Sequence, residues 1–343
     1  MRKGFLKYSL WILVCFSMVA CNDWLDVKPK TEMEAEDMFS TEDGFKDALA
    51  GVYTAMTKSS LYGRELTYGI VDVVAQQWGG IGSNHRYANA LKYEYEATNT
   101  KPIIDTLWNG LYNAIANANS ILAYIDNSKA VFTGDNKQII KGEALALRAF
   151  MHFDLLRLFA PAPVTNPTGL AMPYVTTYPD HQPEHKSVND VLASIIADME
   201  KAKGILAPVD TIFCLSWNQS TSGRIYQSSS YSSAPPNDFV SYRGMRMNYC
   251  AVLGMLARVY LYKGDKERAY QYAWEFYNKF VFGKKWFKYN DSYDFTDDLT
   301  YRCKKHLSDC LFAFYNFDLL DNYADYTVYW GDPMMIQGVD EIF

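Results

Sequence analysis

Hydrophobic residues recur at helical spacing over four stretches of this chain. The first stretch follows a capping box at residues 40–43, and its apolar stripe comprises Phe45, Leu49, Val52, Tyr53 and Met56. The second stripe comprises Trp108, Leu111, Tyr112, Ile115, Leu122 and Ile125. Residues 137–159 are apolar nearly all round, which predicts a central helix that ends before Pro161 and Pro163. Ser187 and Asp190 cap a fourth helix, whose stripe comprises Val191, Leu192, Ile195, Ile196 and Met199.

A later unit, residues 253–277, predicts two antiparallel helices that are broken at Gly264 and Asp265. Ala269 and Ala273 have the spacing of a tetratricopeptide repeat, in which small residues let two helices approach closely. A single helical pair cannot bury its own apolar face, so the earlier helices are predicted to be degenerate neighbours in one stack. The predicted fold is mostly α, with about three tetratricopeptide-like helical pairs and long irregular loops at residues 63–100, 160–186 and 209–243.

The amino terminus has the pattern of an export signal. Arg2, Lys3 and Lys7 precede an apolar run at residues 11–20 that is too short to span a bilayer. Residues 18–21, Met-Val-Ala-Cys, resemble a bacterial lipobox, so residues 1–20 are predicted to be a lipoprotein signal peptide and Cys21 the lipidated residue. Residues 21–38 then form an extended lipidated tether, and residues 39–343 a helical-repeat domain. The alternative is an ordinary secreted protein with a cysteine near its cleavage site by chance.

Composition and charge limit the classes of partner. The chain is 49% hydrophobic and 21% charged, as in globular proteins. Loss of the three basic signal residues moves the net charge from -6 to -9, which disfavours nucleic acid. The cysteines after Cys21 lack the spacing of a zinc site, and a disulfide between Cys303 and Cys310 remains open.

Aromatic residues provide the candidate binding chemistry. The chain contains 27 tyrosines, and a phenol offers both a flat apolar face for a sugar and a hydroxyl for hydrogen bonds. A glycine-rich segment contains Trp78, Arg86, Tyr87 and Tyr93, which are predicted to contact a ligand. For any one ring, core packing is the alternative. Trp217 and Tyr226 are weaker candidates of the same kind.

Catalytic and metal-binding patterns are weak. His181 and His185 lie four residues apart, but Pro179 and Pro183 indicate a loop. Two acidic doublets could match the residues of a glycosidase pair: Asp297 with Asp298, and Glu94 with Glu96. No nucleophile elbow, zinc-protease motif or phosphate-binding loop is present in the sequence. The sequence therefore predicts neither an enzyme nor a cofactor or metal site.

Four segments in order carry a family resemblance: CNDWLDVKPKTE after the lipobox, LWNGLYNAIANANSILAYID, GEALALRAFMHFDLLRLFAPAP and ARVYLYKGDKERAYQYA. Together they resemble the SusD/RagB family of Bacteroidetes outer-membrane lipoproteins. The resemblance implies a SusD-like α/α superhelix that faces the cell exterior, captures glycans and rests on a SusC-like TonB-dependent transporter. Relatives usually continue well past the late helical pair, so the resemblance also implies that the C-terminal region is missing or shortened.

These observations favour a lipid-anchored protein of the outer membrane that binds a glycan or another polymeric nutrient and delivers it to a TonB-dependent transporter. The alternative is a helical-repeat scaffold that binds proteins and has no small ligand. A hydrolase is the third reading. A glycan-binding protein would expose clustered aromatic rings, a scaffold would have a broad groove, and a hydrolase would have paired carboxylates in a cleft.

Overall fold

The computed structural model describes residues 30–179, 183–225, 237–288, 309–319 and 335–336 of the chain. Its helices, in order, are α1 Lys30–Met38, α2 Glu42–Met56, α3 Ile70–Val74, α4 Lys101–Tyr124, α5 Asn136–Phe159, α6 Val188–Leu206, α7 Thr211–Cys214, α8 Ser216–Gln219, α9 Thr221–Ile225, α10 Tyr249–Lys263 and α11 Lys266–Phe276. Short 3₁₀ turns occupy Ala90–Lys92 and Arg243–Met245, and α11 continues into a π-helical turn, Tyr277–Gly283.

Two small antiparallel sheets accompany the helices. Strand β1 (Trp78–Gly79) pairs with β4 (Met335–Ile336), and β2 (Leu170–Pro173) pairs with β3 (His185–Ser187). The described residues are therefore mostly helical, and the predicted fold class is confirmed.

The long helices pack one after another. Helix α2 lies against α4, α4 against α5, α5 against α6, α6 against α10, and α10 against α11. Helix α5 is buried on nearly all sides, which confirms the predicted central helix. It approaches α6 closely at Gly142, where an added Cβ would lie 2.7 Å from the Cγ of Leu206.

Capping side chains fix where the helices begin. The hydroxyl of Thr41 accepts a hydrogen bond of 3.1 Å from the Gly44 N–H at the start of α2. At the start of α6, the hydroxyl of Ser187 accepts one of 3.2 Å from the Asp190 N–H. The cap by Ser187 and Asp190 is confirmed. The predicted capping box at residues 40–43 is not formed as such, because Thr41 alone caps α2 and the hydroxyl of Ser40 donates to the Asp37 carbonyl.

The late helical pair also forms as predicted. Gly264 has a φ of +90°, the left-handed conformation that ends many helices and that glycine adopts without steric cost. Ala269 is buried against the neighbouring helix, whereas Ala273 is exposed. Only the first of these two alanines lies at the helix crossing.

The prediction of an extended tether up to residue 38 is wrong from Lys30 onward, where α1 begins. Its sequence, KTEMEAEDM, is polar and therefore looks like a linker, but lysine, glutamate, methionine and alanine are good helix formers. Residues 1–29 lie outside the described residues, so the signal peptide and the lipidation of Cys21 stay predictions. Among the described helices, none is long and apolar enough to cross a membrane.

Candidate functional site

The irregular segment at residues 63–100 is organised around one buried carboxylate, that of Glu65. Its two oxygens share the single O–H donor of Tyr87, at 2.9 and 2.8 Å, and one of them accepts a hydrogen bond of 3.1 Å from the Ile70 N–H. The guanidinium groups of Arg64 and Arg86 lie 2.9 and 3.2 Å from the same carboxylate. Burial and the charge of Glu65 raise the pKa of Tyr87, so its hydroxyl stays a donor.

Two of the predicted ligand-binding rings are buried beneath this segment. Trp78 is 7% exposed, and its indole N–H donates a hydrogen bond of 2.9 Å to the carbonyl of Tyr68. Tyr87 is 0% exposed. Core packing, the alternative considered from sequence, describes the surroundings of both rings, because neither presents a face to solvent. The glycine-rich sequence suggested an open loop, whereas the segment folds over its own aromatic side chains.

Tyr93, by contrast, is 49% exposed, and Tyr95 beside it is 47% exposed. The two ring centroids lie 6.4 Å apart at an interplanar angle of 63°. Tyr93 has a φ of +60°, an uncommon conformation for an aromatic residue, and its hydroxyl accepts a hydrogen bond of 2.9 Å from the Gln76 side-chain amide. The backbone and Gln76 therefore hold an exposed pair of rings, called here the tyrosine pair.

Polar side chains lie near the tyrosine pair. The amide of Asn89 donates to the carboxylate of Glu94 and accepts a hydrogen bond of 3.1 Å from Asn99. Arg86, the fourth predicted ligand residue, has a side chain that is 34% exposed, with its guanidinium 5.1 Å from the centre of the Tyr87 ring. An exposed ring bonded to an amide can contact both the apolar face and the hydroxyls of a sugar, and Arg86 offers a further donor in the same segment.

A cleft of about 480 Å³ between α5 and α10 was not predicted from the sequence. Within it, the carboxylate of Asp154 accepts hydrogen bonds of 2.8 Å from the Tyr62 hydroxyl and 3.2 Å from Arg157. Burial raises the pKa of Asp154. One signal could have indicated this cleft: Asp154 and Arg157 are three residues apart in the largely apolar last turns of α5.

The remaining candidate residues lie apart from these two regions. Trp217 is 8% exposed, and the Nδ1–H of His185 donates a hydrogen bond of 2.9 Å to the Ala171 carbonyl in the β2–β3 sheet. Outside the described residues lie His181, Tyr226, Asp297, Asp298 and Cys303. In the described part of the chain, no three His, Cys, Asp or Glu side chains group as metal ligands would.

Comparison with protein families gives a match over residues 23–216 to the SusD-like family model described as "Starch-binding associating with outer membrane". Two similar proteins come from Formosa agariphila. SusD-like protein P25 is 24% identical over 214 residues, which cover 58% of this chain and 38% of that protein. SusD-like protein P2 is 25% identical over 235 residues, or 66% of this chain and 43% of that protein. The match therefore spans about two fifths of the length of these relatives.

Solved structures show the same fold. A crystal structure of a SusD superfamily protein from Bacteroides thetaiotaomicron superposes with a TM-score of 0.62 at 18% identity, covering 89% of this chain and 62% of the other. A second SusD superfamily protein from that organism gives a TM-score of 0.52 at 22% identity, covering 70% and 46%. These similarities extend the sequence match through the later helices of the stack.

Proposed function

The chain belongs to the SusD-like family, and from this premise we propose that it binds a glycan or another polymeric nutrient through the exposed face of residues 63–100. In this proposal it is a binding protein and not an enzyme, and it delivers the nutrient to a SusC-like TonB-dependent transporter. Cys21 carries the lipid anchor in the outer membrane, with the helical stack facing the cell exterior. The family's association with starch and the outer membrane supports this reading.

The observation that carries the proposal is the tyrosine pair. A single exposed ring is ordinary, but Tyr93 and Tyr95 lie side by side, and adjacent exposed rings form an apolar patch of the kind that marks interaction sites. Tyr93 keeps its exposed position through a left-handed backbone conformation and the hydrogen bond from Gln76. Such conformations persist where the surroundings enforce them, and they cluster at ligand sites.

We propose different roles for the four predicted ligand residues. Tyr93 stacks against the sugar, and Arg86 donates hydrogen bonds to its hydroxyls from the edge of the segment. Trp78 and Tyr87 have a structural role and do not contact the sugar, because both are buried. Trp78 stabilises the segment through its hydrogen bond to Tyr68, and Tyr87 through its hydrogen bond to Glu65. This division assigns direct contact only to side chains that reach the surface.

Binding is tested by affinity electrophoresis of the intact chain in gels that contain starch, laminarin, pectin or xylan. In the gel whose polysaccharide retards the intact chain, Tyr93→Ala should migrate faster. The apparent affinity should fall about tenfold, as expected for the loss of one stacked ring. The matched control is Tyr270→Ala, which removes a 63% exposed tyrosine from α11. Equal losses in both variants, or no retardation of the intact chain by any polysaccharide, would contradict the proposal.

Anchoring is tested separately with Cys21→Ala in cells fed a clickable fatty acid. The variant should lose the label and leave the membrane fraction, because the acyl chains supply most of the membrane affinity. The control is Cys214→Ala, which removes an exposed cysteine on the helical stack. Label and membrane association that persist in the Cys21 variant would exclude the lipoprotein assignment.

One observation favours the alternative of a protein-binding scaffold. On α11, the exposed rings of Tyr270 and Trp274 stack at 5.9 Å with an interplanar angle of 14°. Exposed aromatic side chains on a helical repeat are typical of protein interfaces. Under this alternative, Tyr270→Ala would abolish co-purification of a protein partner, and Tyr93→Ala would leave it unchanged.

A further inference from the structure

The cleft between α5 and α10 has an aromatic wall. Tyr62 and Phe314 stack with ring centroids 4.8 Å apart at 24°, and Phe312 lies 4.7 Å from Phe314. Phe150 completes the wall, 5.4 Å from Tyr62. All four rings line one cleft of about 480 Å³, a size within the usual range of small-molecule sites.

Backbone contacts hold this wall against α10. The Asn248 side-chain amide donates a hydrogen bond of 2.8 Å to the Leu311 carbonyl, and the Ala313 N–H donates one of 2.8 Å to the Gly244 carbonyl. Gly254 leaves the space for this approach, since an added Cβ would lie 2.7 Å from the Leu311 side chain. These contacts place the backbone that carries Phe312 and Phe314 beside α10, so the wall is part of the fold.

The cleft is lined by more positively charged side chains than negatively charged ones. Arg157 forms an ion pair with Asp154, whose second oxygen is bonded to Tyr62. Arg258 also lines the cleft, and its guanidinium lies 5.6 Å from the centre of the Phe153 ring. Within the described part of the chain, no carboxylate lies at ion-pair distance from Arg258. Two guanidinium groups thus face one carboxylate.

Arg258 is an exposed residue of the cleft, so its guanidinium can contact an anion that enters from solvent. Desolvation lowers the pKa of this side chain, and the nearby charge of Asp154 only partly offsets the effect. A guanidinium prefers a carboxylate that accepts two parallel hydrogen bonds. In a chain with a net charge of -6, a local excess of positive charge beside an aromatic wall is a specific feature.

We propose that this cleft binds a uronic acid unit of a glycan, with the sugar carboxylate on Arg258 and an apolar face of the ring on the half-buried rings of Phe312 and Phe314, which the buried ring of Tyr62 supports. That the ligand is a sugar rests on the proposed function. That the ligand is an anion is inferred from the charges of the cleft alone. Asp154 keeps Arg157 in place and disfavours a second anionic group beside the first. The site is separate from the tyrosine pair and sets the class of glycan that is retained.

The test is isothermal titration of the intact chain with trigalacturonate, with neutral galactotriose and with neocarrabiose sulfate, a sulfated disaccharide that has no carboxylate. Trigalacturonate should bind, and raised salt should weaken it because the contact is between charges. Arg258→Gln should weaken it by at least about tenfold, as expected for one charge-assisted contact. Arg268→Gln, the same change on the exposed surface of α11, should leave the affinity unchanged. Phe314→Ala tests the wall independently.

Each outcome has one meaning. Equal binding of galactotriose, or normal trigalacturonate binding by folded Arg258→Gln, would overturn the uronic acid site. Stronger binding of the sulfated sugar would also overturn it and assign the cleft to sulfate esters. If trigalacturonate does not bind while a neutral polysaccharide still binds through Tyr93, the cleft proposal fails and the proposed function stands. If neither class binds, both fail.

Discussion

The guanidinium of Arg243 donates two hydrogen bonds of 3.0 Å each to the two carboxylate oxygens of Asp210, and neither side chain is exposed. Arg243 also pairs with the buried carboxylate of Glu143 on α5, which accepts a hydrogen bond of 2.6 Å from the Tyr53 hydroxyl on α2. Asp210 further accepts a hydrogen bond of 2.8 Å from the Tyr249 N–H at the start of α10. One buried network therefore joins three helices of the stack.

Asp210→Asn should destabilise the protein by about 3 to 5 kcal/mol, because it leaves the buried Arg243 charge short of a partner. The free energy of unfolding in urea measures this cost. Asp105→Asn is the matched control, since Asp105 pairs with Lys101 at 2.8 Å but its side chain is 54% exposed. Exposed pairs contribute about 0 to 1 kcal/mol. Equal losses in the two variants would show that the Arg243 network does not stabilise the stack.

His152 makes the stability sensitive to acid. It is buried on α5, its Nδ1 lies 2.8 Å from the Arg148 carbonyl, and its Nε2 accepts a hydrogen bond of 3.0 Å from the Val175 N–H. The Val175 contact requires the neutral ring, because both nitrogens of a protonated imidazole are donors, whereas Nδ1–H can donate to the Arg148 carbonyl in either form. Burial lowers its pKa to about 3, so the unfolded chain, with a value near 6.5, binds the proton more readily.

The unfolding free energy should therefore be constant above about pH 6.5 and fall as the pH drops toward 3, by up to about 1.4 kcal/mol per unit. In His152→Gln, an amide replaces the ring without a titrating group, so between pH 6.5 and 5 this variant should lose about 2 kcal/mol less than the wild type. His185→Gln, in the exposed strand β3, is the control. Parallel pH profiles for the wild type and His152→Gln would rule out this source of acid sensitivity.

The late helical pair offers a test of close packing. Ala269 is 8% exposed, so Ala269→Leu should overpack the contact between α10 and α11 and cost about 1 to 3 kcal/mol. Ala273→Leu adds the same atoms one turn later on an exposed face, where substitutions usually change stability by less than about 0.5 kcal/mol. Thermal melts measure both, and an unchanged Ala269 variant would mean that the two helices are not closely packed.

Helical periodicity predicted the long helices because the pattern of each stripe is local. Residues 45–56 and 188–206 carry their own caps and apolar spacing, so the structure confirms them without reference to the rest of the chain. The burial of Trp78 and Tyr87 could not be predicted from local periodicity. Their burial depends on Tyr68 and Glu65, which precede them by 10 and 22 residues without any regular period.

The cleft was beyond sequence analysis for a related reason. Tyr62 and Asp154 are 92 residues apart in the chain, and the aromatic wall adds a segment near residue 314 that no pattern connects to either. Long-range juxtapositions of this kind depend on how the helices stack, and periodicity within one helix carries no information about them. Similarly, α1 was missed because it has few apolar residues to reveal a buried face.

Tyr87 and Tyr93 lie in the same segment, one buried and one exposed, so removal of the phenol hydroxyl can be compared between the two environments. Tyr87→Phe deletes a buried hydroxyl that donates to both oxygens of Glu65, so it should cost about 1 to 3 kcal/mol of stability. Tyr93→Phe deletes an exposed hydroxyl that accepts one hydrogen bond from Gln76, and its cost should stay within about 0.5 kcal/mol. Urea unfolding of both variants measures the difference. A larger loss in Tyr93→Phe would mean that the tyrosine pair stabilises the segment itself, and its exposure would then no longer argue for a ligand site.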